Sequence, residues 1–207
     1  MEDDTAEGAG PRPAGVGAVL AAGAGQRFRG PTPKVLAPLP DGTTLVGRAV
    51  AVAAAAGLEA VAVVVGPVPA EALGPLPTGV VALANPRWVE GQATSLAVAV
   101  DWARSRGAAA LTVALADQPG ITAAAWRAVA GTPSPLAVAT YAGRRGHPVR
   151  LGADVWADLP SAGDEGARRL LRARPDLVVE VPCPGDPTDV DTVEDLASWA
   201  RDHPADG

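Results

Sequence analysis

Residues 20–34 read Leu20-Ala21-Ala22-Gly23-Ala24-Gly25-Gln26-Arg27-Phe28-Arg29-Gly30-Pro31-Thr32-Pro33-Lys34. Gly23 and Gly25 let the backbone turn sharply and direct N–H groups at an anion. Arg27 and Lys34 add two cations to the same stretch. Of the 17 basic residues, 16 are Arg and Lys34 is the single Lys. An ammonium is a compact point charge, suited to a phosphate whose geometry changes during reaction. Three readings of the loop compete. One is a Gly-rich strand-to-helix turn with no ligand. The second, a dinucleotide-binding fingerprint, needs a third Gly where Phe28 stands and a helix opening at once, which Pro31 and Pro33 forbid. A Walker A loop is excluded because Gly-Lys-Ser/Thr is absent. The third is a loop that wraps a triphosphate and then brings a lysine to it.

Two acidic segments supply the opposite charge. Asp117 closes an apolar run in Ala114-Leu115-Ala116-Asp117-Gln118-Pro119. It reads either as a turn residue capping the next helix or as a ligand of Mg²⁺, which takes one or two carboxylates and leaves its other positions to water and phosphate oxygens. The second segment runs Asp186-Pro187-Thr188-Asp189-Val190-Asp191-Thr192-Val193-Glu194-Asp195. Here Thr192 reads as a helix cap, with Glu194 and Asp195 favoured by the helix dipole.

These groups need a frame. Val16–Ala21, Ala60–Val65, Val80–Ala84, Ala109–Leu115 and Leu136–Tyr141 are continuous apolar runs, the pattern of strands buried on both faces. Leu177–Val181 is a further short strand, and 147–159 mixes a strand with a helical turn. Helical patterns fall at Thr44–Ala56 (Leu45, Ala49, Val52 and Ala56 on one face), Ser95–Arg106 (Leu96, Val100 and Ala103 inward), Ala123–Ala130 after a Thr122 cap, Gly166–Ala173 and Thr192–Asp202. Alternation of this kind predicts right-handed crossovers in one Rossmann-like, three-layer α/β domain with a mostly parallel sheet. Ligands then sit beyond the carboxyl ends of the strands.

Composition bounds the rest. The chain has 207 residues, 48% of them hydrophobic, a formal charge of −6 and a sequence pI near 4.9. That is a globular composition without the basic stripe of a nucleic-acid binder. Residues 1–14 read as a disordered acidic tail, 15–202 as the domain and 203–207 as a frayed end. Cys183 is the single cysteine, which excludes an intramolecular disulfide and a Cys-based zinc site. The sequence shows no secretory signal, and its longest apolar run, Ala49–Leu58, is too short to span a bilayer. A cytoplasmic protein with no membrane partner is the expectation.

The loop Leu-Ala-Ala-Gly-Ala-Gly-Gln-Arg-Phe followed by Pro-Thr-Pro-Lys-Val-Leu resembles the signature of the MobA-like nucleotidyltransferases. The Ala-Ala-Gly form is similar to the branch of cytidylyltransferases that act on molybdopterin cofactor. Further resemblances follow in the family's order. Asn85-Pro-Arg-Trp-Val-Glu-Gly91-Gln-Ala-Thr-Ser95-Leu is similar to its base- and sugar-contacting loop, although Ser95 serves equally as a helix cap. Gly146-His147-Pro148 and Gly163-Asp164-Glu165-Gly166-Ala-Arg168 resemble its acceptor-side elements, with a structural His147 as the alternative. Together the matches run from about residue 16 to 197.

What the resemblance implies is transfer of a nucleoside monophosphate, CMP from CTP, onto the terminal phosphate of molybdopterin cofactor, with loss of pyrophosphate. The nucleophile is an ionised phosphate, so no general base is needed, in keeping with a chain of only two histidines. Lys34, Arg27 and Asp117 are the implied catalytic residues. Leu20, Ala21, Ala22, Gly23, Gly25, Arg27, Lys34, Asn85, Gly91 and Ser95 would bind the nucleotide; His147, Asp164 and Arg168 would bind the acceptor. Asp117 and Asp189 would hold Mg²⁺, with Mn²⁺ as a substitute and Asp191 as the rival to Asp189. A molybdoenzyme receiving the product is the implied protein partner. Alternatives are GTP in place of CTP, another phosphorylated acceptor such as phospholactate or a sugar phosphate, an NAD-dependent oxidoreductase, and a non-catalytic nucleotide-binding protein. The sequence departs from the family at Phe28-Arg29-Gly30, where Met-Gly is usual; the bulk of Phe28 is expected to reshape the acceptor pocket. Arg144 and Arg145 read as a solvated hairpin tip, and Arg169 and Arg172 as facing solvent.

Overall fold

The structure is a computed structural model that describes residues 15–204. Seven strands form one sheet: β1 (Val16–Ala21), β2 (Val61–Val65), β3 (Val80–Ala84), β4 (Ala110–Leu115), β5 (Leu136–Tyr141), β6 (Arg144–Gly152) and β7 (Val178–Pro182), in the order β3-β2-β1-β4-β6-β5-β7. β6 runs antiparallel to β4 and β5, and every other pair is parallel. Five helices cover it: α1 (Leu45–Ala54), α2 (Gln92–Ser105), α3 (Ala123–Ala130), α4 (Arg168–Ala173) and α5 (Val193–Asp202). The expected three-layer α/β architecture with a mostly parallel sheet is the one observed.

One face of the sheet packs on α2 and α4 through Leu96, Val100, Leu170 and Leu171; the other packs on α1 and α3 through Val46, Val50, Trp126 and Val129. A third, smaller cluster joins Leu39, Leu45 and Val190 to Trp199 of α5. The chain moves outward from β1 to β3, then returns past β1 to β4. The order reverses between β1 and β4, and in open α/β sheets a crevice forms at that switch point.

Several local expectations need correction. α1 buries Leu45, Val46, Val50 and Ala53, a face rotated from the expected one, because the helix must meet both β1 and α3. β3 and β7 are edge strands and only partly covered, so in β3 an unbroken apolar run did not mean burial on both faces. The Arg144–Arg145 pair opens β6; the tip itself is Ala142-Gly143, with φ +48° and +78°, as a two-residue hairpin requires. α2 begins at Gln92, three residues earlier than expected, because Gly91 at φ +103° turns the chain into it. His203, read as frayed, stacks on Trp199 with ring centroids 4.4 Å apart. The tail expected over 1–14, and residues 205–207, lie outside the described residues. Among the described residues no helix is long and apolar enough to cross a membrane.

Candidate active site

The loop after β1 leads back toward the sheet. Gly25 has φ +60°, and a Cβ there would sit 2.8 Å from the Cβ of Lys34, so only Gly lets the two stretches of loop approach this closely. The Phe28 N–H donates to the Gly25 carbonyl at 2.9 Å, closing a turn rather than opening a helix. Pro33 then starts a single 3₁₀ turn over Lys34–Leu36. Phe28 leaves the acceptor pocket alone: it packs on the cluster around Leu39, Leu45 and Trp199 and anchors the loop there.

The turn aims Lys34 at two carboxylates. Its Nζ donates to Asp117 Oδ2 at 2.6 Å and to Asp191 Oδ1 at 2.8 Å, and its side chain is 10% exposed. Burial works against this charge, yet Asp117 and Asp191 outweigh it and hold the ammonium above its usual pKa. Arg27 reaches the other oxygen of Asp191 at 2.8 Å but is 74% exposed, so solvent screens that pair strongly.

The carboxylates are themselves fixed. The Asp117 carbonyl accepts from Val190 N–H at 2.8 Å, which ties the end of β4 to the segment carrying Asp189 and Asp191. Thr192 caps α5 as expected: its Oγ1 accepts from Asp195 N–H, while Asp195 Oδ2 accepts from the N–H groups of Thr192 and Asp191 at 2.8 and 3.0 Å. Asp191 is thus held by a capping box. Asp189 as a whole is exposed, but its carboxylate sits against the buried Gln118 amide, accepting from Nε2 at 2.9 Å. Burial first, then the neighbouring Asp117 and Asp191 charges, raise its pKa.

Asp117 Oδ1 is buried and has no hydrogen-bond partner. A lone acceptor beside a second carboxylate segment suits a hard cation with oxygen ligands. Among the described residues there is no group of three or more His, Cys, Asp or Glu able to cage a metal. The free Asp117 oxygen fits a divalent cation that takes its remaining ligands from phosphate and water.

Two cavities meet here, with Leu20, Gln92 and Leu115 lining both. The smaller, about 560 Å³, is bounded by Ala22, Gly23, Trp88, Gly91, Ser95 and Asp117. The larger, about 1210 Å³, opens where β6 parts from β4, their pairing ending at Val113–Val149. Arg27, His147, Arg168, Asp189 and Asp191 line it. Burial pushes the His147 pKa down to about 4; Asp117 opposes the shift and Arg168 adds to it.

Gly25 and Lys34 line neither cavity, Lys34 reaching both through Asp117 and Asp191, and Arg27, expected with the nucleotide, lines the larger one. Three further expected residues lie elsewhere. Asp164, expected with the acceptor, lines the smaller cavity beside Gly91, where a Gly91 Cβ would stand 2.7 Å from Asp164 Oδ1. Asn85 reaches neither cavity. It is 2% exposed, donates to Thr94 Oγ1 and Ser95 Oγ at 2.9 Å each and accepts from Arg87 N–H, so it braces the loop into α2. Ala21 is buried in β1. Arg172 is exposed, as expected, and also borders the larger cavity, paired with Glu165. Sequence reasoning missed Trp88, Gln92 and Gln118; each stands inside a quoted motif, but no spacing rule marks it.

The MobA-like NTP transferase domain family matches residues 17–178. Nicotine blue oxidoreductase of Paenarthrobacter nicotinovorans is 34% identical over 209 residues, covering 89% of this chain and 95% of that protein. Among solved structures, the homologue of Mycobacterium tuberculosis Rv0371c from Mycobacterium sp. strain JC1 is 34% identical with a TM-score of 0.74, covering 92% of this chain and 99% of that one. Rv0371c of Mycobacterium tuberculosis H37Rv in complex with manganese is 30% identical with a TM-score of 0.72, covering 90% and 97%. A family match across most of the sheet, with relatives aligned along nearly the whole chain, places this protein in the MobA-like NTP transferase domain family, as a nucleotidyltransferase.

Proposed function

We propose that this chain transfers CMP from CTP to the terminal phosphate of molybdopterin cofactor, releasing pyrophosphate, with Mg²⁺ as the metal. The observation that carries the reading is Lys34 Nζ, 2.6 Å from Asp117 and 2.8 Å from Asp191, where a nucleotide-sized cavity meets a larger one. The Ala21-Ala22-Gly23 stretch supports the cytidylyl branch, and the manganese complex of the Rv0371c relative supports a divalent cation.

In this reading Asp117 and Asp189 hold the cation, which neutralises charge on the transferring phosphates when bound. The backbone N–H groups of residues 22–25 face the triphosphate. Lys34 and Arg27 stabilise negative charge on the transferring and leaving groups. His147 and Arg168 bind the acceptor in the larger cavity, His147 as the neutral imidazole. Alignment of acceptor and nucleotide, rather than proton transfer, supplies the rate.

A second reading has one observation behind it: the Paenarthrobacter relative is named as an oxidoreductase. The path after the glycine loop weighs against a dinucleotide fold, since a turn and a 3₁₀ helix follow where a helix should open. Thermal unfolding with CTP, GTP, UTP, ATP or NAD, each with and without Mg²⁺, separates the readings. A ligand at about 100 times its Kd adds roughly 2.7 kcal/mol, about 5–10 °C for a chain of this size. The expected result is a Mg²⁺-dependent shift with CTP alone, followed by pyrophosphate release with molybdopterin cofactor. A shift with GTP moves the acceptor to another branch, and a shift with NAD alone overturns the triphosphate reading.

A further inference from the structure

Gln118 follows Asp117 and is 6% exposed. A primary amide at that depth is costly unless its polar atoms are matched, and a leucine or methionine would fill the same volume without that demand. Its Nε2 donates to the Pro187 carbonyl at 3.0 Å and to Asp189 Oδ1 at 2.9 Å. Both neighbours are acceptors, so the orientation is fixed: the NH₂ must face them. Oε1 is then left buried without a partner. The amide keeps an unsatisfied acceptor in order to place two donors on one short segment.

That segment is pinned on either side by backbone. Asp186 N–H donates to the Gly120 carbonyl at 3.0 Å, and Val190 N–H to the Asp117 carbonyl at 2.8 Å. Gly120 permits the first approach, since a Cβ there would meet the Asp186 carbonyl at 2.5 Å. Between these pins, Gln118 ties Pro187 and Asp189 to the β4 loop. Asp189 is exposed and lines the larger cavity, on the segment that the Val190–Asp117 backbone bond ties to the end of β4. An exposed carboxylate bordering open space samples several rotamers unless something holds it.

We propose that Gln118 is the positioning residue of the metal pair: its amide holds one oxygen of Asp189 so that the carboxylate stays turned toward Asp117 and the two receive one divalent cation. The inference rests on the reading of Asp117 and Asp189 as that pair. Donors behind a ligating carboxylate set its orientation, and losing one weakens metal binding about 10- to 100-fold.

The test is Mn²⁺ binding to the full chain with CTP and no acceptor, read from the signal of free Mn²⁺ in electron paramagnetic resonance. Gln118→Met and Gln118→Leu are compared with wild type and with Asp189→Asn; Met adapts to the space and keeps the measurement available if the leucine variant misfolds. The expected result is a Kd for Mn²⁺ raised about 10- to 100-fold in Gln118→Met. The metal concentration for half-maximal turnover should rise in parallel, with kcat at saturating metal changed much less. A folded Gln118→Met chain with wild-type Mn²⁺ affinity overturns the proposal, and so does a lowered Tm with unchanged affinity, which makes Gln118 a structural brace only. If Asp189→Asn weakens Mn²⁺ binding and Gln118→Met does not, the positioning role alone fails. If Asp189→Asn leaves Mn²⁺ binding unchanged, the metal-pair reading fails and the proposal goes with it.

Discussion

The smaller cavity is walled by the glycine loop, by Trp88 and by the start of α2, and no arginine lines it. The larger cavity has Arg27, Arg144, Arg145, Arg168 and Arg172 on its wall. Three of these are matched: Arg27 by Asp191, Arg145 by Glu180 and Arg172 by Glu165. Arg144 and Arg168 make no ion pair among the described residues. The two spaces are also built differently. The first lies over parallel strands and takes its shape from backbone, with Gly25 and Gly91 at positive φ. The second depends on the one antiparallel strand, β6, and on side chains from late in the chain. A base edge can be read by fixed backbone groups in the first. An anion needs the guanidinium forks of the second. Lys34, Asp117 and Asp191 stand at the boundary, where the proposed reaction would place a phosphorus shared by both ligands.

If the boundary is the reaction centre, the largest effects should come from it. Asp117→Ala is expected to cut turnover about 10³-fold or more with the fold intact by circular dichroism, and Lys34→Ala about 10²- to 10³-fold in kcat. A near-normal rate for Asp117→Ala removes the metal assignment. An unchanged rate for Lys34→Ala makes Lys34 a structural ion pair and dissolves the boundary.

Smaller, opposite effects should separate the two cavities. Arg168→Ala is expected to raise the KM for the acceptor about 10-fold or more, the scale of a hydrogen bond to a charged group, and to leave the KM for nucleotide near wild type. Asp164→Ala should do the reverse, more weakly because Asp164 is exposed. If steady-state kinetics show both variants moving the same KM, the division between nucleotide and acceptor sides is wrong.

The same division marks what could be read from sequence. The ends of β1, β3 and β5 are legible because each is a continuous apolar run closed by small or polar residues. That β3 lies at an edge is not legible, since a Val/Ala/Leu run reads alike in the middle and at the rim of a sheet. β6 is legible only in part: a strand shows within 147–159, but its start is hidden because Arg144-Arg145-Gly146-His147-Pro148 lacks alternation, and pairing with β5 extends it back to Arg144. In the site, the glycine loop, Lys34 and Asp117 stand out as residue types at short spacing. Asn85 misleads because an amide that braces Thr94 and Ser95 looks the same in sequence as one that binds a base. Gln118 is silent because its meaning depends on a loop 71 residues away.

His147 gives the mildest test, of stability rather than turnover. Its pKa is about 4 in the folded chain, against 6.5 for a free imidazole. The folded state therefore binds fewer protons than the unfolded state between those values. Stability from this group is complete above pH 6.5 and declines as pH falls toward 4, by about 3 kcal/mol at most. Asp189 acts in the opposite sense. Its raised pKa means that the folded state takes up its proton more readily, so acid favours folding there, in a window beginning at the ordinary carboxylate value. The two effects overlap at the acid end, and the slope of the wild-type curve alone does not isolate the histidine. The difference between wild type and His147→Asn does. Thermal unfolding from pH 8 to 4.5 is expected to show the wild type losing more stability than the variant below pH 6.5, with parallel curves above it. Parallel curves throughout mean that His147 titrates alike folded and unfolded, and then the larger cavity carries an imidazolium beside Arg168 in acid rather than a neutral ring.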